Sequence, residues 1–187
     1  LVRSGTFRGW RPQLYGTGLA GATVAVVGLG QVGRAIIARL AGFGCSRVVG
    51  VDPCPSSGDI ATVSLEEALA QAHFVFVAAP LTARTHHLID AAALSRARPG
   101  QWMVNVGRGS VVDEDAIAGA LERGTLAGYA ADVFAMEDWG LADRPPAISQ
   151  RLLSHSNTVF TPHLGSAVRE ARIAIEQRAA ESIIAVL

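Results

Sequence analysis

Short apolar runs rich in β-branched residues alternate with helix-like segments along most of this chain of 187 residues. The runs predict strands at 23–27, 47–52, 74–78, 102–106, 126–133 and 158–161. The intervening segments predict helices at 31–43, at 65–72 after a cap at Ser64, after a cap at Asp90, and from a cap at Asp113 to Arg123. Such alternation requires right-handed crossovers, so the predicted fold class is α/β with a doubly wound parallel sheet.

The two ends of the chain do not follow this alternation. Residues 1–20 predict a connector from another domain, 21–165 form the alternating domain, and 166–187 predict one long amphipathic helix. The chain begins at Leu1, and all sixteen of its basic residues are arginine, so it contains no lysine. The start at Leu1, with methionine only at positions 103 and 136, favours a piece of a longer protein.

Composition argues against several classes of function. Sixteen basic residues balance sixteen acidic ones, and a neutral chain without a basic run is a poor candidate for binding nucleic acid or an anionic membrane. No apolar stretch reaches the length of a membrane-spanning helix and no signal peptide opens the chain, so we expect a cytoplasmic protein. Cys45 and Cys54 lack metal-site spacing, so we expect two reduced thiols and no metal.

A glycine-rich turn directly follows the first predicted strand and opens the first predicted helix. In this turn Gly28 makes the tight bend, Gly30 lets a pyrophosphate approach the backbone, and Gly33 brings helix against strand. The helix N-terminus offers free N–H groups to that anion. We therefore predict that Gly28, Gly30, Gln31, Val32 and Gly33 bind a dinucleotide in a Rossmann-type domain; the alternative is a glycine turn without a ligand.

An acidic residue, Asp52, ends the second predicted strand, 24 residues after Gly28. A carboxylate at this place accepts hydrogen bonds from the ribose hydroxyls and repels a 2′-phosphate. Residues 53–57 supply no cation for that phosphate, so the sequence favours NAD over NADP. The alternative is that Asp52 only caps the end of its strand.

Three candidate reactive side chains come after the last three predicted strands, where an open parallel sheet keeps its reactive groups. Arg108 has glycine neighbours and offers a fork for an anionic substrate, while Glu137 and His163 are suited to proton transfer if they pair. Each has a purely structural alternative. Arg108 can be a surface ion-pair partner, Glu137 a solvated loop charge, and His163 a polar cap.

Five motifs resemble the D-isomer-specific 2-hydroxyacid dehydrogenase family: residues 28–33, 80–85, 105–113, 131–133 and 161–163. The resemblance implies a substrate-binding arginine at Arg108, a catalytic acid/base at His163 and its partner acid at Glu137. It also implies NAD as cofactor, with a homodimer built through this domain.

The same resemblance extends the predicted cofactor site. It implies that Asp132 contacts the nicotinamide amide and that five further residues line the cofactor: Pro80, Thr85, Val106, Gly107 and Gly165.

Within the family the chain is most similar to phosphonate dehydrogenases, through segments near residues 2–19, 128–145 and 165–169. This similarity implies oxidation of phosphite to phosphate and a second active-site arginine at Arg172. Phosphite is a small dianion, which two arginines suit better than one. Further substrate contacts would belong to a missing substrate domain, so residues 1–187 alone should bind NAD with little activity.

Two alternatives stay open from sequence alone. The first is a D-2-hydroxyacid dehydrogenase acting on a small 2-hydroxy or 2-oxo acid, which would use the same arginine, acid and histidine. The second is an NAD-sensing module without catalysis, because some members of the family keep this domain for regulation.

Overall fold

The computed structural model describes residues 2–11, 16–54 and 60–186. Its strands are β1 (Thr23–Val27), β2 (Arg47–Val51), β3 (Phe74–Val77), β4 (Gln101–Asn105), β5 (Leu126–Ala131) and β6 (Thr158–Phe160). Its helices are α1 (Gln31–Leu40), α2 (Leu65–Gln71), α3 (Ala91–Leu94), α4 (Glu114–Glu122), α5 (Gln150–Leu153) and α6 (Arg169–Ile184). Short 3₁₀ turns lie at Ala41–Phe43, Gly109–Val111 and Ala135–Glu137.

The six strands of the described residues form one parallel sheet in the order β2-β1-β3-β4-β5-β6. From β1 the chain moves outward to β2 and then returns to the other side of β1 to form β3. Between the carboxyl ends of β1 and β3 the strand order reverses, and ligands of open α/β sheets bind at such a switch point. The predicted fold class is therefore confirmed.

Side-chain caps set several helix boundaries, as the sequence predicts. The Ser64 hydroxyl accepts from the Glu67 amide at 3.1 Å, and the Asp90 carboxylate accepts from the Ala93 amide at 2.8 Å. Asp113 accepts from two amides in the first turn of α4. These bonds satisfy amides that have no partner inside their own helix, so they fix where each helix begins.

The two faces of the sheet are covered unequally. On one face the alternate side chains of β1, β3, β4 and β5 are buried in the main core with α2 and α4. On the other face α1 packs on β1 in a smaller core that contains Val24, Val26 and Leu40. Toward β6 this second face becomes open, and Val159 is 67% exposed.

The end segments differ from each other and from expectation. Residues 2–11 contain one turn and no regular element, and Trp10 is exposed; Tyr15, part of the resemblance above, lies outside the described residues. The predicted terminal helix exists as α6, but the prediction that it is amphipathic is wrong. Ile173 and Ile175 are both exposed and, two residues apart, lie on nearly opposite sides of the helix.

Candidate active site at the carboxyl edge of the sheet

The three glycines of the turn after β1 have different packing environments. Gly28 has φ +93°, and a Cβ there would lie 2.7 Å from the Ala79 amide nitrogen. At Gly33 a Cβ would overlap the Gly28 carbonyl, whereas a Cβ at Gly30 would meet no atom within 4 Å. Gly28 and Gly33 are therefore required by the chain's own packing, and the space at Gly30 fits the close approach of a pyrophosphate.

The N-terminus of α1 points its first amides toward this space. Gly30 is the N-cap residue and provides no side-chain cap, and Gln31 and Val32 are exposed in the first turn. Uncapped amides at a helix N-terminus are donors for an anion, and the helix dipole adds a partial positive charge. The geometry fits a bound dinucleotide phosphate at Gly30, Gln31 and Val32.

Asp52 follows β2 at the wall of a cavity of about 500 Å³. Its Oδ2 accepts from the Leu29 amide at 2.8 Å and its Oδ1 accepts from the Cys54 amide at 2.9 Å. Each oxygen keeps a second acceptor position, so the carboxylate can also receive ribose hydroxyls. Asp52 thus both accepts backbone amides at the end of its strand and lines the cavity.

The same cavity has an apolar lining that suits an adenine ring. Its lining includes Val27, Val51, Val63, Ala79, Pro80 and Leu88. It also contains Arg84, a cation that comes from the loop after β3 rather than from the segment after Asp52. The segment after Asp52 supplies no cation at Pro53 or Cys54, as predicted, and residues 55–57 lie outside the described part.

The side chain of Thr85 holds the loop after β3 through hydrogen bonds. The Thr85 hydroxyl donates to the Pro80 carbonyl at 2.6 Å, and the Thr82 amide donates to the Thr85 hydroxyl oxygen at 2.8 Å. Pro80 and Thr85, which the resemblance places beside the cofactor, both line the cavity. Their hydrogen bonds shape its wall.

The loop after β4 carries Arg108 and is held by the last residue of that strand. The Asn105 side chain donates to the Arg108 carbonyl at 3.0 Å and accepts from the Gly107 amide at 3.1 Å. A Cβ at Gly107 would lie 2.5 Å from the Ala79 carbonyl oxygen, so the backbone of Ala79 leaves no room for a side chain there. Val106 is half-buried between these groups, while the Arg108 side chain is exposed.

A buried aspartate joins the Arg108 loop to the loop after β5. Asp138 is 8% exposed, and its Oδ2 accepts from the Ser110 amide at 2.7 Å. The hydrogen bonds of Asp138 and Asn105 were not predictable from the sequence, because no motif spacing shows which backbone group either side chain binds. Both position Arg108 relative to the next loop.

Glu137 and His163, which are far apart in sequence, form a pair. Glu137 Oε2 lies 2.7 Å from His163 Nδ1, and Glu137 Oε1 accepts from the Phe134 amide at 2.8 Å. The side chains are 30% and 47% exposed. The predicted pairing is thus present, and the backbone bond orients the carboxylate toward the imidazole.

Asp132 at the end of β5 holds the loop that contains His163. Its Oδ1 accepts from the Leu164 amide at 2.8 Å and its Oδ2 from the Gly165 amide at 3.0 Å, and the Thr161 hydroxyl is a third donor. Burial opposes ionisation of Asp132, but these hydrogen bonds outweigh it and hold the pKa of the carboxyl below its usual value. They also support His163, whose φ is +54°.

The role of Arg172 as a second arginine of the site stays a prediction. Arg172 lies in α6, its side chain is 56% exposed, and its nearest described charged partner is Glu176 at 4.0 Å. Among residues 2–11, 16–54 and 60–186 no group of histidine, cysteine and acidic side chains could hold a metal ion. No described helix is long and apolar enough to cross a membrane.

A parallel sheet with a glycine turn, an acid after its second strand and a histidine–carboxylate pair at one edge is typical of an NAD-binding dehydrogenase domain. Residues 1–165 match the family described as D-isomer specific 2-hydroxyacid dehydrogenase, NAD binding domain. The chain belongs to this family, and NAD is the cofactor of the domain.

Relatives in the family include reductases and dehydrogenases of small acids. Glyoxylate reductase of Thermococcus litoralis is 34% identical, with 99% of this chain and 56% of that protein covered. D-3-phosphoglycerate dehydrogenase of Mycobacterium tuberculosis (strain H37Rv) is 38% identical, with 92% and 32% covered.

Solved structures show the same architecture. A putative D-isomer specific 2-hydroxyacid dehydrogenase from Polaromonas sp. JS6 66 matches with a TM-score of 0.87 and 32% identity, over 99% of this chain and 57% of that one. A glyoxylate reductase from Paecilomyes thermophila matches with a TM-score of 0.82 and 27% identity, over 94% and 52%. The chain thus spans little more than half the length of these two structures.

Proposed function

We propose that this chain is the cofactor-binding part of an NAD-dependent dehydrogenase for a small 2-hydroxy acid, or for the corresponding 2-oxo acid in reverse. The observation that carries the proposal is the 2.7 Å pair between His163 Nδ1 and Glu137 Oε2. This pair lies at the same edge of the sheet as the glycine turn and Arg108. An acid/base, an anion binder and a hydride acceptor are what this reaction requires.

Each reactive side chain has a defined task in oxidation of the hydroxy acid. When bound, NAD supplies the chemistry of accepting a hydride from C2. Arg108 binds the substrate carboxylate through its guanidinium. His163 takes the hydroxyl proton on Nε2, because Nδ1 is engaged by Glu137. The Glu137 carboxylate stabilises the imidazolium that results, and the reverse reaction returns the same proton to the carbonyl oxygen.

The remaining predicted residues are proposed to hold the cofactor. Gly28, Gly30, Gln31, Val32 and Gly33 form the phosphate turn. Asp52 is the acid that would accept hydrogen bonds from the ribose hydroxyls. Pro80, Thr85, Val106, Gly107, Asp132 and Gly165 would border the rest of the dinucleotide. Since both oxygens of Asp132 already accept backbone amides, its contact with the nicotinamide amide would use a remaining acceptor position.

Phosphite is the competing substrate, and the findings give it less support than a 2-hydroxy acid. The relatives reported above are named for glyoxylate and 3-phosphoglycerate. The proposed second arginine, Arg172, pairs with Glu176 at 4.0 Å. We therefore place the 2-hydroxy acid first.

The test is an assay of the complete gene product. We expect NADH-linked reduction of glyoxylate or hydroxypyruvate, and NAD-linked oxidation of D-lactate or D-glycerate, with no oxidation of phosphite. NADH formation from phosphite alone would overturn the proposed substrate class. Tight NAD binding without turnover of any acid would instead favour the NAD-sensing module. Glu137→Gln should lower this activity, because it keeps the size of the side chain and removes the charge opposite His163.

The division into a connector (1–20), a cofactor domain (21–165) and a terminal segment (166–187) stays a prediction, as do the cytoplasmic location and the homodimer. Sedimentation equilibrium of the complete gene product tests the homodimer, which requires twice the mass of the chain.

A further inference from the structure

A guanidinium lies without a partner of its own in the cavity beside Asp52, the adenosine cavity. Arg84 lines the cavity together with Asp52, Pro53 and Thr85. It is exposed, and within residues 2–11, 16–54 and 60–186 it has no hydrogen-bond or ion-pair partner. The other cavity residues do not explain why a cation lies there.

Asp52 presents the opposite charge at a fixed position in the same cavity. Two backbone amides, those of Leu29 and Cys54, hold one oxygen each. The carboxylate therefore cannot turn away from a ligand in the cavity. A phosphate group beside it would be repelled, whereas ribose hydroxyls would donate to it.

We propose that Arg84 binds the 2′-phosphate of NADP and that the opposition of Arg84 and Asp52 sets the nucleotide preference of this domain. Guanidinium groups bind phosphate through charge-assisted, often bidentate hydrogen bonds. A nearby arginine is also the feature by which Rossmann-type domains accommodate a 2′-phosphate. NADP is then a weaker second ligand of the site, disfavoured by Asp52 and favoured by Arg84.

A different role for Arg84 would give a different result. If the guanidinium only stacked on the adenine, it would contribute equally to NAD and NADP, because the two share that ring. The 2′-phosphate is the one group that separates the two nucleotides. The ratio of the NADH and NADPH affinities therefore distinguishes binding of the 2′-phosphate by Arg84 from stacking of Arg84 on the adenine.

The experiment is calorimetric titration of residues 1–187 with NADH and with NADPH. Four proteins are compared: the parent chain, Asp52→Asn, Arg84→Ala and the double variant. Asp52→Asn is chosen over alanine because its amide oxygen still accepts from the Leu29 amide. We expect Asp52→Asn to strengthen NADPH binding about tenfold. In the Asp52→Asn protein, Arg84→Ala should weaken the affinity for NADPH about fivefold more than the affinity for NADH.

Arg96→Ala is the matched control, because Arg96 is an exposed arginine that pairs with Glu66 at 3.4 Å and does not line the cavity. It should change both affinities equally. The proposal is wrong if Arg84→Ala changes NADH and NADPH by the same factor, or changes neither. Failure of the parent chain to bind NADH would also overturn it, together with the cofactor site; a normal affinity for NADH with an unchanged ratio would overturn the role of Arg84 alone.

Discussion

The two halves of the sheet edge are built differently. The cofactor half, β1–β3 with residues 28–33 and 78–89, encloses a cavity of about 500 Å³ with apolar walls and Asp52 at its rim. The reaction half, β4–β6 with residues 106–111, 132–138 and 161–165, holds its loops by backbone-to-carboxylate hydrogen bonds. Its histidine nevertheless stays 47% exposed.

Because of this difference, the residues of the two halves are suited to different tasks. The cofactor half already has the shape and polar groups that bind a nucleotide. The reaction half positions Arg108, Glu137 and His163 but leaves Arg108 exposed and the histidine–carboxylate pair partly open to solvent. Because proton and hydride transfer are favoured where water is excluded, we expect residues 1–187 to bind NAD far better than they turn over substrate.

The largest expected effect tests the reaction half. His163→Asn removes the proton carrier, so kcat of the complete gene product should fall by about 10²- to 10⁴-fold. Binding of NADH to the same variant should change less than about twofold, since His163 lies apart from the adenosine cavity. Comparable losses in both measurements would show that the two halves are not separable.

The next effect tests the glycine turn of the cofactor half. Gly33→Ala places a Cβ on the Gly28 carbonyl, so the free energy of unfolding should fall by about 3 kcal/mol or more. Gly30→Ala meets no atom and should leave the unfolding temperature nearly unchanged while weakening NADH about tenfold. Thermal unfolding and calorimetry measure the two effects. A stable Gly33→Ala protein, or normal NADH binding by Gly30→Ala, would contradict the assigned roles.

A smaller effect tests the buried link inside the reaction half. Asp138→Ala leaves the Ser110 amide unsatisfied, so we expect the free energy of unfolding to fall by about 1–3 kcal/mol. Asp138→Asn keeps an oxygen acceptor and should lose about half as much. Urea unfolding distinguishes the two. Equal stability of the alanine variant and the parent would show that this bond does not hold the two loops together.

The smallest effect is a stabilisation. Burial raises the pKa of Glu114, although amides of Ala135 and Ser149 oppose that shift. The folded state therefore retains a proton that the unfolded state releases, and stability falls as pH rises from the ordinary pKa through the raised one. Glu114→Gln carries no charge and keeps an acceptor for Ala135. It should be more stable at pH 7 by about 1 kcal/mol or less, with no gain at pH 3.

Urea unfolding at both values of pH checks this prediction. A larger gain at low pH than at pH 7 would reverse the assigned sign.

Local patterns were sufficient for the six strands, the longer helices and the glycine turn, whereas the short helix α5 was not predicted. β1 begins and ends where its apolar run does, and the caps at Ser64 and Asp113 lie where predicted. Long-range contacts were not predictable in the same way. Arg84 reaches the cavity of Asp52 only because β3 lies beside β1, and local sequence gives no sign of that approach.

The terminal helix shows a second limit. Apolar residues are frequent in α6, but their spacing places them on several sides, so composition alone predicted an amphipathic face that the helix lacks. The pairing of Glu137 with His163 was predictable because both follow parallel strands that end at the same edge. Its hydrogen bond to the Phe134 amide was not, since it depends on the local 3₁₀ turn.

We infer that the turn after β1 and the acid after β2 bind the dinucleotide. This is tested by calorimetric titration of residues 1–187 with NAD, repeated on Asp52→Ala. We expect one site per chain in the parent and an affinity about tenfold lower in the variant. An absence of binding in the parent, or equal affinity in both proteins, would contradict it.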